Sequence, residues 1–179
     1  MHYTNYIQEI TMPHHIELTK RIKLPADKIW GVLKDFDSIE RTSHAVEKSP
    51  LLAGNDSGVG AKRKCYFYDG KSVVEEIIEY HEGESFKIVL SEFSMPLKSI
   101  EAQMIVKKVD NNVCDISMSM DFVVKGGFFG QILGFLILQH VLKVKVLKAE
   151  LAGLAFHAST GKVIGKKLPS NAELQSIWA

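Results

Sequence analysis

Two long stretches of the chain alternate apolar and polar residues at nearly every position, and this alternation limits the fold more than any other feature. A period of two predicts strands with one face toward an apolar interior and the other toward water. The turn sequence Asp110-Asn111-Asn112 lies between the two stretches and predicts an antiparallel hairpin. The shared apolar faces are Ile100, Ala102, Met104 and Val106 in residues 97–109, and Cys114, Ile116, Met118, Met120 and Phe122 in residues 114–124.

Five further strand-like segments bring the predicted number of strands to seven. Asp69-Gly70 and Glu82-Gly83 are turn signals between neighbouring segments, so most strands follow each other as hairpins and the sheet should be antiparallel. After the first strand, Pro25 and apolar residues at helical spacing predict a short helix, and residues 38–41 predict a second one. The five segments are residues 16–24, 46–52, 58–68, 71–80 and 85–92.

One long helix is predicted over residues 128–158, directly after Gly126-Gly127. Its first half is apolar nearly all round, which indicates burial on most sides. The stretch 128–142 is shorter than the ~20 apolar residues of a membrane span, so we expect no stable membrane insertion. The second half is amphipathic and contains Gly153, which would allow another backbone to approach closely. Its polar residues are predicted to face outward: Lys143, Lys145, Lys148 and Glu150.

The length of 179 residues fits one domain. We expect an extension at 1–15, a single domain at 16–158 and a polar, irregular tail at 159–179. The 22 Lys and Arg residues balance 21 Asp and Glu residues, so the net charge of +1 gives no reason to expect nucleic acid as a partner. No basic and apolar leader is visible at the N-terminus, and the cytoplasm is therefore the expected location.

The cysteines are too few and too far apart to predict a metal centre. Cys65 and Cys114 form no CxxC pair, and no Cys/His cluster has zinc-ligand spacing. Both lie in apolar strand-like segments, which favours buried free thiols, although a cross-strand disulfide is an open alternative. The sequence contains none of the common nucleotide-binding, metalloprotease or serine-hydrolase motifs, so neither a cofactor nor a metal is predicted.

Several motifs resemble one known superfamily. Residues 22–36 resemble its opening strand-Pro-helix step, and Gly58-Val59-Gly60-Ala61-Lys62-Arg63 resembles its strand start. Asp69-Gly70 with Val74-Glu75-Glu76-Ile77 resembles its hairpin, and Met95-Pro96-Leu97 its apolar-Pro step. The chain therefore resembles the START-related SRPBCC (helix-grip) superfamily, in particular its polyketide cyclase/dehydrase-like branch. Relatives often carry Trp and Pro after the first helix pair, where this chain has Arg41-Thr42-Ser43-His44, which predicts a different pocket entrance.

The resemblance implies an α+β fold in which a seven-stranded curved antiparallel sheet grips a long C-terminal helix around a cavity. Members bind lipids, sterols, polyketides or plant hormones, and some act as cyclases. A small hydrophobic molecule is therefore the expected partner. The candidate ligand-binding residues are Arg63, Tyr66, Glu75, Ile100, Met104, Met118, Met120, Phe122, Phe128, Ile132, Leu136 and His140.

The polar candidates each have two interpretations at this point. Arg63 either points inward, to pair with an acid or a ligand carboxylate, or lies solvated beside Lys62 and Lys64. An inward glutamate could pair with Arg63 or act as a base, but at least two of Glu75, Glu76 and Glu92 should face water. His44 is expected on the surface near the pocket entrance, and His140 in the core. No catalytic residue can be assigned from the sequence.

Three functions are compatible with these features. The first is a binding or carrier protein for a lipid-like or polyketide-like molecule, which we favour because no catalytic constellation is visible. The second is a cyclase or dehydratase, which needs at least two titratable groups converging inside the cavity. The third is an interaction module, in which the ligand acts as a switch and Phe129, Phe135 and Ile137 form an apolar patch for a partner or a homodimer.

Overall fold

A computed structural model describes residues 13–93, 97–125 and 142–179, and its architecture is the predicted α+β fold. Seven strands form one antiparallel sheet in the order β1-β7-β6-β5-β4-β3-β2. The predicted number and succession of strands are confirmed, with bounds that differ by a few residues. The strands are β1 (His14–Ile22), β2 (Val46–Lys48), β3 (Lys62–Phe67), β4 (Ser72–His81), β5 (Ser85–Ser91), β6 (Leu97–Lys108) and β7 (Cys114–Val124).

The hairpin of β6 and β7 supplies the centre of the inner sheet face. Met104 pairs with Met118, and Ile100 pairs with Phe122, so the apolar sets of the two strands lie side by side. Phe122 is completely buried and Ile100 is nearly so, while the alternate residues are more accessible. The predicted division into an apolar and a polar face is therefore confirmed for this hairpin.

Two short helices follow β1, as the sequence predicts. Helix α1 (Ala26–Leu33) begins directly after Pro25, whose φ of −60° suits a helix start. It buries Ile29 and Trp30 against the sheet. The second element is a 3₁₀ helix over Phe36–Arg41 rather than an α-helix. The two elements are followed by the loop 42–45, in which Ser43 is buried.

The C-terminal helix is described from a π-helical turn at Leu142–Leu147, which continues into α2 (Lys148–Thr160). Leu147 and Leu151 are completely buried in the core with the inner sheet face. Gly161, with a φ of +70°, ends the helix in the left-handed conformation that glycine adopts at low cost. The predicted first half of this helix, residues 128–141, lies outside the described residues.

Gly153 is the point at which α2 touches the loop after the 3₁₀ helix. A Cβ atom built on Gly153 would lie 1.8 Å from the carbonyl oxygen of Thr42. Only a residue without a side chain allows this contact, so the predicted close backbone approach is confirmed. The contact also places the neighbouring Ser43 beside α2.

The prediction of an irregular tail is wrong for residues 170–178. Helix α3 (Asn171–Gln175) begins with a capping box between Ser170 and Glu173, and its Leu174 is buried. Ile177 is also buried, and Trp178 forms a β-bridge with Ile22 of β1. The tail therefore packs against the domain through Leu174 of α3 and through Ile177 and Trp178, which follow the helix.

Candidate ligand-binding site

The polar centre of the site is an ion pair on two neighbouring strands. Arg63 of β3 and Glu75 of β4 are register partners, and both are more than nine-tenths buried. Arg63 Nε donates to Glu75 Oε2 over 2.6 Å, and Arg63 Nη1 donates to the Phe36 carbonyl oxygen over 2.6 Å. The guanidinium also lies 4.1 Å from the centre of the Phe36 ring. The inward interpretation of Arg63 is therefore correct, and its partner is Glu75.

Electrostatics keep the Arg63 guanidinium charged despite its burial. Burial lowers the pKa of Arg63, but the opposite charge of Glu75 and other neighbours outweighs it, so the pKa is raised. The next inward residue of β3, Cys65, is a free and buried thiol. Burial, together with the negative charge of Glu75, raises the pKa of Cys65 far above its ordinary value. A thiol that stays protonated is a poor nucleophile, so we assign Cys65 no reaction.

A third ionisable group, Glu150 of α2, belongs to the same cluster, and the prediction that it faces outward is wrong. Ser43 Oγ donates to Glu150 Oε1 over 2.8 Å. The carboxyl group is buried, while the residue as a whole stays partly accessible. Burial raises the pKa of Glu150 to about 7, while Ser43 lowers it and the charge of Glu75 raises it further. Glu150 can therefore gain or lose a proton near neutral pH.

Helix geometry explains why the outward prediction fails for Glu150. Lys148 and Glu150 lie two residues apart in α2, which is about 200° around the helix axis, so their side chains point to nearly opposite faces. Lys143, Lys145 and Lys148 are exposed as predicted, whereas Glu150 is turned toward the interior. The sequence pattern expected every charged residue of this helix to face water, whatever its position around the axis.

The raised pKa of Glu150 predicts a loss of stability with rising pH. The unfolded carboxyl releases its proton near its ordinary pKa, whereas the folded one keeps it up to about pH 7, so the stability falls as the pH rises between those values and stays lower above them. We expect Glu150→Gln to gain about 2–3 kcal/mol relative to the wild type between about pH 5 and about pH 8. Urea unfolding at both pH values measures the difference. An equal effect of the substitution at both pH values would contradict the shift.

The apolar part of the site is the inner face of β1, β7 and β6. Leu18, Met118 and Met104 lie in one row across these strands, because Met118 pairs with both others. All three stay partly accessible. Their neighbours on the same face of each strand, which are buried, are Ile16, Ile116, Met120, Ala102 and Val106.

The other predicted site residues separate into three groups. Met120, Phe122 and Ile100 lie on the inner face and are buried. Tyr66 alternates with Arg63 along β3 and lies on the opposite face, with Lys48 Nζ 4.8 Å from its ring centre, so it does not join the cluster. The remaining residues fall outside the described part of the chain: Phe128, Ile132, Leu136 and His140.

Two further predictions concern polar residues near the cluster. Glu76 and Glu92 pair with the accessible Lys62 and Lys64, so two of the three strand glutamates do face water. His44 is only partly accessible, and its buried Nδ1 atom has no hydrogen-bond partner among the described residues, contrary to the predicted surface position.

Two recesses open at the surface, and neither contains a predicted site residue. The larger, of about 730 Å³, lies between α1 and the β5–β6 edge, and the smaller, of about 410 Å³, lies between α2 and the tail. Within the described residues no three His, Cys, Asp or Glu side chains are placed to hold a metal ion. In the same residues, no helix is both long and apolar enough to cross a membrane.

Comparisons with known proteins agree with this geometry. The Zhui aromatase/cyclase from Streptomyces sp. R1128 superposes with a TM-score of 0.69 at 15% identity, covering 82% of this chain and 94% of that one. A norcoclaurine synthase point mutant from Thalictrum flavum, in complex with a transition state analogue, gives 0.68 at 18% identity, covering 86% and 99%. Both likenesses show the helix-grip fold.

A curated relative matches over a shorter stretch. The abscisic acid receptor PYL2 from Arabidopsis thaliana is 33% identical over 78 residues, which is 40% of this chain and 40% of the receptor. The chain therefore spans well under half of the length of this relative. The family model of polyketide cyclase/dehydrase and lipid transport proteins matches residues 13–156, which include every described strand and most of α2. This chain belongs to that family.

Proposed function

We propose that this protein binds a small hydrophobic molecule, lipid-like or polyketide-like, between the inner sheet face and the C-terminal helix, and acts as a carrier. The observation that supports the proposal best is the partly accessible row of Leu18, Met118 and Met104. These side chains lie on a face whose other apolar members are buried. Accessible apolar surface costs roughly 25 cal/mol per Å², which a bound apolar molecule would recover.

The residue types in this row suit a ligand of variable shape. Met118 and Met104 have flexible, polarizable side chains that can repack around different apolar outlines. A concave apolar site with few polar groups is also the usual geometry of small-molecule binding. The three polar groups of the site, Arg63, Glu75 and Glu150, lie on β3, β4 and α2.

A carrier is favoured over an enzyme by the state of the titratable groups. Arg63 and Glu75 are engaged with each other, and Tyr66 lies on the opposite sheet face. The cyclase hypothesis required at least two free titratable groups converging on the cavity. Of the three ionisable groups in the cluster, Glu150 is the one without an ion-pair partner, and burial raises its pKa to about 7.

A cyclase/dehydratase-like enzyme is the second candidate, and Glu150 is the observation that favours it. A carboxyl group with a pKa of about 7 can both donate and accept a proton at neutral pH. Native mass spectrometry of the purified protein, followed by organic extraction, separates the two functions. A bound molecule whose mass is unchanged after incubation supports the carrier, and its conversion to a product supports the enzyme.

Filling the accessible row is expected to abolish binding of an apolar probe. Met118→Trp places a large side chain where the ligand would lie, so the affinity for the uncharged fluorophore N-phenylnaphthylamine should fall about tenfold or more, equivalent to at least ~1.4 kcal/mol. Ser119→Trp, on the opposite face of β7, is the matched control and should bind like the wild type. Fluorescence titration gives the affinities. Wild-type protein without saturable binding, or equal affinity in both variants, would overturn the proposal.

A further inference from the structure

The position of Glu150 follows from two contacts of α2. The contact between Gly153 and the Thr42 carbonyl group holds this part of the helix against the loop after the 3₁₀ helix. Ser43, the next residue of that loop, then donates to Glu150 Oε1. The flanking Leu147 and Leu151 are completely buried in the same core as the inner sheet face. Glu150 is thus a polar group held in place on α2 next to buried apolar residues.

The neighbouring ion pair has little capacity left for a charged ligand. The Nε, Nη1 and Nη2 atoms of Arg63 all contact Glu75 or the Phe36 carbonyl oxygen. Its positive charge is balanced by Glu75, so a ligand carboxylate would meet a neutral pair and, close by, a further carboxyl group. The alternative that Arg63 holds a ligand carboxylate is therefore disfavoured.

Glu150 is the group of the cluster with hydrogen-bonding capacity to spare. Among the described residues its one hydrogen-bond partner is Ser43, which contacts Oε1. In the protonated form, Oε1 accepts from Ser43 and Oε2 carries a proton that can be donated. A buried donor without an acceptor costs free energy, so the protein gains most when a ligand supplies the acceptor.

We infer that the ligand is an uncharged molecule with a carbonyl group, and that the protonated carboxyl of Glu150 donates a hydrogen bond to the carbonyl oxygen. The inference rests on the proposed function, because it names the polar end of the apolar ligand. The described groups that act on the charge of Glu150 are Arg63 of β3, Glu75 of β4 and Ser43 of the loop. Arg63 and Glu75 are paired with each other, so Glu150 is the group of the cluster whose protonation we expect to change with pH.

The test uses two uncharged fluorophores that differ in one carbonyl group. The first is a propionyl-substituted dimethylaminonaphthalene, and the second is the same dimethylaminonaphthalene without the propionyl group. Since only the protonated form of Glu150 donates, the affinity of the wild type for the ketone should fall about tenfold from about pH 6 to about pH 8. The affinity for the compound without the carbonyl group should stay constant.

Two variants test whether the pH dependence of ketone binding arises at Glu150. Glu150→Gln keeps an amide donor at every pH, so its affinity for the ketone should no longer depend on pH. His44→Gln, a change next to Ser43 in the chain, should keep the pH dependence of the wild type. Constant ketone affinity in the wild type, tighter ketone binding at the higher pH, or unchanged pH dependence in Glu150→Gln would overturn the inference while the proposed function stands. Failure of both fluorophores to bind at either pH would overturn both.

Discussion

Replacing Glu75 with alanine is expected to lower the free energy of unfolding by about 3–5 kcal/mol, because it leaves the buried Arg63 guanidinium without its carboxylate. The charge of Arg63 cannot be removed by deprotonation, since its pKa lies far above neutrality. The hydrogen bond to the Phe36 carbonyl oxygen and the contact with the Phe36 ring remain, but they do not balance a full charge. Urea denaturation of wild type and variant at neutral pH measures the loss.

The adjacent pair on the other face of the same two strands is a matched control. Lys62 and Glu76 are 3.1 Å apart and largely accessible, so Glu76→Ala should cost no more than about 1 kcal/mol. The double change Arg63→Met with Glu75→Leu should recover most of the loss, because it removes both buried charges. If Glu75→Ala and Glu76→Ala lower the free energy of unfolding equally, the buried ion pair stabilises the protein no more than the accessible one.

The second large effect is expected at Gly153. In Gly153→Ala the new Cβ atom would lie 1.8 Å from the Thr42 carbonyl oxygen, which is backbone and cannot rotate away. Either α2 or the loop must move, and overpacking of this kind costs about 3 kcal/mol. The movement should also separate Ser43 from Glu150, because both lie beside this contact.

Gly31 in the middle of α1 offers the control substitution. A Cβ atom there would meet no heavy atom within 4 Å, so Gly31→Ala should stabilise the protein by about 0.5–1 kcal/mol through its higher helix propensity. Thermal unfolding of both variants gives opposite shifts of the melting temperature if this account is right. A melting temperature for Gly153→Ala at or above that of the wild type would show that the two backbones are not in contact.

The parts of the fold that follow from local chemistry could be predicted from the sequence. The alternation in residues 97–124 and the Asp69-Gly70 turn each depend on a few neighbouring residues, and the structure confirms them. The direction of Arg63 stayed open in the sequence, because it shares its parity with Ala61 and Cys65 but has Lys62 and Lys64 as its direct neighbours. Only the pairing of β3 with β4, which brings Glu75 opposite Arg63, decides that direction.

Glu150 and the tail were missed for different reasons. Glu150 lies about 200° around α2 from the exposed Lys148, and the expectation that a charged residue faces water took no account of this angle. The tail did carry a readable signal, since Ser170 and Glu173 have capping-box spacing and Leu174, Ile177 and Trp178 follow each other at the i, i+3, i+4 spacing of an amphipathic helix. Its two buried apolar residues are surrounded by polar ones, and this made the segment resemble a loop.

The pairing of the tail with β1 has a consequence for the behaviour of the protein at high concentration. The free side of β1 is one rim of the sheet, and unpaired backbone groups on such a rim recruit strands from other molecules. Here the Lys23 amide donates to the Ile177 carbonyl oxygen over 2.9 Å, and the Ala179 amide donates to the Arg21 carbonyl oxygen over 3.1 Å. The tail thus occupies backbone groups at this end of β1 and protects them from pairing with strands of other molecules.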